Sequence, residues 1–98
     1  MSIHFSDKVR LKLAVKHNIQ PHEVEECFCN REKGFLTDTR EDHKTNPPTQ
    51  WFIAETDYGR ELKVVFILMD NGEIFIKSAF TPNAIEKDIY DRHATTSG

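Results

Sequence analysis

The stretch from residue 57 to residue 80, DYGRELKVVFILMDNGEIFIKSAF, decides the fold. β-Branched and aromatic residues fill it, and turn residues break it twice. Asn71-Gly72 is a two-residue hairpin signal, because both positions tolerate positive φ, and Asp57-Tyr58-Gly59 suits a three-residue loop with Gly59 in the bulge position. With WFIAET (51–56) ahead of it, the stretch predicts an antiparallel meander over 51–80. Counting back from the turns sets Trp51 and Ser78 beside Val65, and Phe52 and Ala79 beside Val64. One face then carries Phe52, Ala54, Leu62, Val64, Phe66, Leu68, Phe75 and Ala79. The other carries Trp51, Ile53, Val65, Ile67, Met69, Ile74 and Ile76.

A sheet apolar on both sides needs two covers. The helices ahead of it supply one. The other falls to the last helix, to the long loop before Trp51 or to a partner subunit, with Trp51 expected to be exposed on that side. On the same register Lys77 projects beside Phe66, among aromatic rings. A lysine there either snorkels to the rim or meets an anion.

Working outward, residues 6–17 (SDKVRLKLAVKH) predict a helix with Ser6 or Asp7 as N-cap and Val9 and Leu13 one turn apart. Asn18 follows where a left-handed residue is wanted. The segment 21–30 predicts a second helix: Pro21 suits the first helical position, Glu23 the third, and Ile19 with Val24 the spacing of a hydrophobic staple. At the other end, residues 82–92 predict a third helix capped by Thr81, with Pro82 in its first position. The expected class is α+β: two N-terminal helices, a three- to four-stranded antiparallel sheet and a C-terminal helix, in one domain over 1–98.

Bulk properties narrow the function classes. Ninety-eight residues with 38% hydrophobic and 30% charged content suit one ordinary globular domain. No stretch approaches the roughly 18 apolar residues of a membrane span and no basic leader precedes an apolar run, so a cytoplasmic protein without membrane contact is expected. A net charge of −3 argues against a generic nucleic-acid coat and leaves room for a local basic site. Cys27 and Cys29 are too close for an easy bridge and read as reduced thiols.

The long polar segment 31–50 (REKGFLTDTREDHKTNPPTQ), in which Phe35 and Leu36 suit a short strand, is the first place to look for chemistry. Arg40 and His43 lie in it, and Arg60 leaves the first hairpin; guanidinium forks are the usual way to hold phosphate. For each, the bland alternative is a solvated loop or turn. Asp38, Glu41 and Asp42 match no calcium loop. His22, Cys27 and Cys29 do not converge, since residues two apart on a helix point to different sides. Without a Gly-rich phosphate loop, nucleophile elbow or zinc-protease helix, no cofactor and no metal is expected.

KHNI closing the first helix, PHEVEECF, the acidic DTRE loop, GRELKVVF, IKSAF and IEKDIY together resemble the BrnT-type toxins, relatives of the RelE-like ribonuclease toxins. The resemblance spans nearly all of 6–92. It implies metal-independent RNA cleavage, a cognate antitoxin as partner, and a cationic, tyrosine-bearing site on the sheet. Arg60 matches the family's arginine after the turn glycine, Tyr90 the tyrosine of the last helix, and Glu86 the acidic residue one turn before it. Where the family carries arginine in the third strand and after its SA, this chain has Phe75 and Phe80, and Lys77 stands as the substitute cation. Similar sequences are also grouped as ADP-ribosyl-(dinitrogen reductase) hydrolase, an activity that needs a larger helical domain with a carboxylate-bound metal pair.

RNA cleavage of this kind is attack of a ribose 2′-hydroxyl on the adjacent phosphate. Proton transfer then falls to His43 or Tyr90, and phosphate binding to Arg40, Arg60 and Lys77. The alternative is a non-catalytic module that binds protein or forms homo-oligomers through its surplus apolar sheet face.

Overall fold

The computed structural model describes residues 2–38 and 46–95. Its elements run β1 (Ile3–His4), α1 (Asp7–Lys12), a π-helical turn (Leu13–His17), α2 (Pro21–Asn30), β2 (Leu36–Thr37), β3 (Thr49–Glu55), β4 (Glu61–Leu68), β5 (Ile74–Phe80) and α3 (Ala84–His93). The class is α+β. The sheet has five strands in the order β1-β5-β4-β3-β2, antiparallel throughout except that β1 runs parallel to β5. It is therefore mixed, and larger than the three- to four-stranded antiparallel sheet expected. Two-residue edge strands such as β1 carry too few side chains to show a period.

The helix ends follow from local chemistry. The Ser6 hydroxyl accepts from the Val9 N–H at 3.2 Å, which makes it the cap of α1. After Lys12 the backbone widens into the π-turn and closes on Asn18 at φ 53°, so the predicted helix over 6–17 is α-helical only in its first half. At α2 the Glu23 carboxylate accepts from the Gln20 N–H at 2.9 Å, half of a capping box ahead of Pro21. The third helix begins at Ala84, not Pro82, and its cap is Asn83, not Thr81. Asn83 and Glu86 exchange side-chain to backbone bonds at 2.8 and 2.9 Å. Thr81 would have had Ala84 at the reciprocating position, which has no acceptor.

The register holds two departures that cancel. Trp51 and Ser78 do flank Val65, and Phe52 and Ala79 flank Val64. Yet the second turn is not a two-residue hairpin, because Met69 pairs with Glu73 and the Gly72 N–H bonds to the Met69 carbonyl. Only Gly72 has positive φ there, at 88°. The loop takes three residues, as the first one does around Gly59 at φ 82°. Between Val65 and Phe66 the pairing then shifts, with Val65 opposite Ser78 and Phe66 opposite Ile76. Lys77 is the extra residue of a β-bulge, and it restores the count.

Between the turn and the bulge every side chain of β5 is consequently on the other face from the one expected. Ile74 and Ile76 are buried with Phe66 and Ala79, while Phe75 is turned out and 41% exposed. Lys77 does not lie beside Phe66 among the rings; it sits exposed at the bulge. That answers why an apolar ribbon tolerates a cation at this point.

The first sheet face is closed by Leu13, Ile19, Val24 and Cys27, all fully buried. Phe28 packs edge-on to Phe52 with ring centres 4.7 Å apart, and Phe35 does the same to Phe66. On the second face α3 covers one end, with Tyr90 5.8 Å from Trp51. Trp51 is thus buried, not exposed as expected. Val65, Ile67 and Phe75 beyond it remain partly open.

Candidate functional site

Of the six side chains singled out from the sequence, Arg40 and His43 lie outside the described residues. The other four fall into three places. Arg60 leaves the first hairpin loop and crosses to the end of the first helical segment. There its guanidinium donates to the carbonyls of His17 and Asn18 at 2.9 and 2.7 Å and meets Glu23 at 3.4 Å. It ties the π-turn, the start of α2 and the hairpin together, a planar fork used on three acceptors.

Glu86 and Tyr90 share α3. Glu86 holds the Lys63 ammonium at 2.7 Å, and that ammonium also stands over the Trp51 ring at 4.4 Å and near the Phe80 ring at 5.5 Å. Lys63 is only 7% exposed. It was missed from the sequence, although the register that pairs it with Ile53 and Phe80 puts it on the Trp51 face. Tyr90 is buried, its hydroxyl donates to the Gly34 carbonyl at 2.9 Å, and burial raises the phenol's pKa. A cavity of about 520 Å³ opens beside the pair, lined by Leu36, Asp38, Trp51, Lys63, Glu86 and His93 among others. A larger groove of about 760 Å³ on the far side of Tyr90 is lined by Glu32, Glu55, Asp57, Glu61 and Asp91 with one lysine, Lys33. Its sign is wrong for a phosphate backbone.

Lys77 belongs to the third place, which the sequence did not announce. Past Phe75 the short β1 ends, and the first helical segment lies along β5 instead. There the Lys12 ammonium donates to the Lys77 carbonyl at 3.1 Å. Lys8, Lys12 and Lys16 follow one another at four-residue spacing, an arrangement in which like charges repel. Burial first, then Lys16, Lys77 and Lys8, pull the Lys12 ammonium below its usual pKa. Among the described residues no carboxylate lies within ion-pair distance of any of these four lysines.

His17 closes the stripe. Its ring is half-buried against Phe80, with centres 5.9 Å apart. Burial, then Lys16 and Lys12, hold the imidazole below its ordinary 6.5, so it is neutral near pH 7. Phe80 in this way stands between His17 on one side and Lys63 on the other.

No family model matches the chain, and no curated protein does. What the protein does is therefore read from its own side chains. Among the described residues no group of three or more His, Cys, Asp or Glu could hold a metal ion, and no helix is long and apolar enough to cross a membrane. Both cysteines are free thiols. Cys27 is buried, donates to the Ala54 carbonyl at 3.6 Å and is pushed up to about 12 by that burial, whereas Cys29 is exposed.

Proposed function

We propose that the protein acts on RNA in the cytoplasm, as the BrnT-type and RelE-like toxins that its motifs resemble do, cleaving it without a metal and held silent by a cognate antitoxin. The observation that carries this reading is the stripe Lys8, Lys12, Lys16 and Lys77. Four cations brought together with no carboxylate within ion-pair distance among the described residues, in a chain of net charge −3, carry a repulsion that an anionic backbone would relieve. Lys77 supplies one of the phosphate contacts, and Arg60 acts behind the site by fixing the carbonyls of His17 and Asn18. Glu86 and Tyr90 support the sheet from the other face.

Induced expression of the wild type beside a Lys12→Ala, Lys16→Ala, Lys77→Ala triple variant tests it. Growth arrest with fragmented total RNA for the wild type alone, relieved by co-expression of the neighbouring gene, is the expected result. Unimpaired growth with intact RNA in both strains overturns it.

A second reading, a protein-binding or oligomerising module without catalysis, is favoured by Phe75, which the bulge turns out of the core beside Ile67. Sedimentation of the purified chain across concentration would show association that Phe75→Ser abolishes. A monomer at every concentration removes the homo-oligomer form of this reading.

A further inference from the structure

We infer that His17 is the proton acceptor for RNA cleavage at the lysine stripe, an inference that rests on the reading just proposed. Of the two side chains considered above for that task, His43 lies outside the described residues, and the Tyr90 hydroxyl is buried and already donates to Gly34. His17 has what the task needs. It adjoins Lys16, it stands within electrostatic reach of Lys12, and its ring packs on Phe80, which limits its swing. Among the described residues nothing hydrogen-bonds to its ring nitrogens, so they are open to a substrate hydroxyl. Its backbone is fixed as well, since Arg60 donates to its carbonyl.

In the step assigned to it, an imidazole nitrogen of His17 takes the proton from a ribose 2′-hydroxyl. The freed oxygen forms a bond to the adjacent phosphorus, and the bond from phosphorus to the 5′-oxygen breaks. That oxygen leaves with the electron pair and takes a proton from the Lys12 ammonium, which burial first and then the neighbouring lysines make a better acid. The products are a 2′,3′-cyclic phosphate and a 5′-hydroxyl; His17 returns its proton to water and Lys12 regains one. Lys16 and Lys77 face the negative charge that builds on the phosphate oxygens.

Burial comes first in lowering the His17 imidazole, and Lys16 and then Lys12 act in the same direction. Lys12 and Lys16 come from its own segment, Arg60 from the start of β4 with Glu23 of α2 behind it, and Lys77 from the bulge of β5. Among these described groups the cations outnumber the one carboxylate, Glu23, and a neutral imidazole is the base-competent form.

Purified wild type and His17→Asn are compared on a defined single-stranded RNA and on ribosome-bound messenger. The wild type should yield 2′,3′-cyclic phosphate ends, and its kcat/KM should rise with pH through one limb placed below the ordinary histidine value. His17→Asn should lose at least about 100-fold in rate and lose that limb. It should bind uncleavable 2′-deoxy substrate within about twofold of wild type, because no charge is removed at neutral pH. Cleavage by His17→Asn at the wild-type rate with the same limb overturns the role of His17 and leaves the RNA reading standing. A wild-type profile without a histidine limb overturns it too, whether or not the variant folds. Failure of the wild type to cleave either substrate overturns the RNA reading itself, and this inference with it.

Discussion

The Lys63 ammonium is held between the Glu86 carboxylate at 2.7 Å and the Trp51 ring at 4.4 Å, on the sheet face that also carries Ile53 and Val65. Removing one member of such a pair strands the other in a poor solvent. Glu86→Ala should cost toward the low end of roughly 3–5 kcal/mol, since Glu86 keeps some contact with water. It also removes the acceptor for the Asn83 N–H that caps α3. Lys63→Met should be milder, because it leaves a carboxylate that still accepts from the Asn83 N–H and is partly open to water, instead of the buried cation. Urea denaturation of the two variants measures the order, and a smaller loss for Glu86→Ala would contradict it.

Arg60 should behave as a structural clamp before it behaves as anything else. Arg60→Ala frees the carbonyls of His17 and Asn18 and leaves Glu23 without its ion-pair partner. Charge-assisted hydrogen bonds of this kind are worth about 1.5–3 kcal/mol, and solvent at this half-exposed site reduces that, so a loss of about 2 kcal/mol is expected. Arg60→Lys should recover only part of it, for an ammonium cannot reproduce the fork. Hydrogen exchange should quicken first at Ile19, whose N–H bonds back to the Leu13 carbonyl across the π-turn.

Lys77 separates charge from geometry. Lys77→Ala should leave stability within about 0.5 kcal/mol, as for other exposed positions. It should also reduce the salt dependence of RNA binding by about 0.7 in the log–log slope, against about 3 for all four lysines together on a single strand. Deletion of Lys77 is another matter. Without the extra residue Ile74 and Ile76 would be carried to the outer face and Phe75 inward, and the deletion should abolish cooperative unfolding in a thermal melt.

The two thiols should differ sharply in reactivity. Native protein should take up one equivalent of an alkylating reagent, at the exposed Cys29, and unfolded protein two. Burial raises Cys27 from 9.0 to about 12. The folded state therefore keeps its proton where the unfolded state has lost it. This contribution to stability is full below pH 9 and is lost as pH rises toward 12. Cys27→Ser should flatten that alkaline fall while lowering stability at neutral pH.

Much of this molecule is legible one residue at a time. Ser6 and Glu23 mark helix ends through bonds to groups three positions away, and Asn18 and Pro21 through the backbone angles they accept; both are local preferences that hold whatever the rest of the chain does. The pairing of Trp51, Val65 and Ser78 followed from the alternation of apolar residues and from the two glycine turns. What sequence alone determined, then, was the α+β class, the helix positions to within a few residues and the central register.

The tertiary structure decided the rest. Whether the second turn takes two residues or three, and where β5 regains the count, depends on how Ile74 and Ile76 fit against Phe66 and the helices above it. That is a global packing choice, and it alone made Lys77 a bulge and turned Phe75 outward. Lys63 became a buried cation only because α3 brings Glu86 across the sheet. The stripe of lysines beside His17 arises because the π-turn and the bulge, far apart in the chain, meet along the part of β5 that β1 does not reach. Electrostatic sites of this kind are properties of distance in space, and spacing in sequence does not encode them.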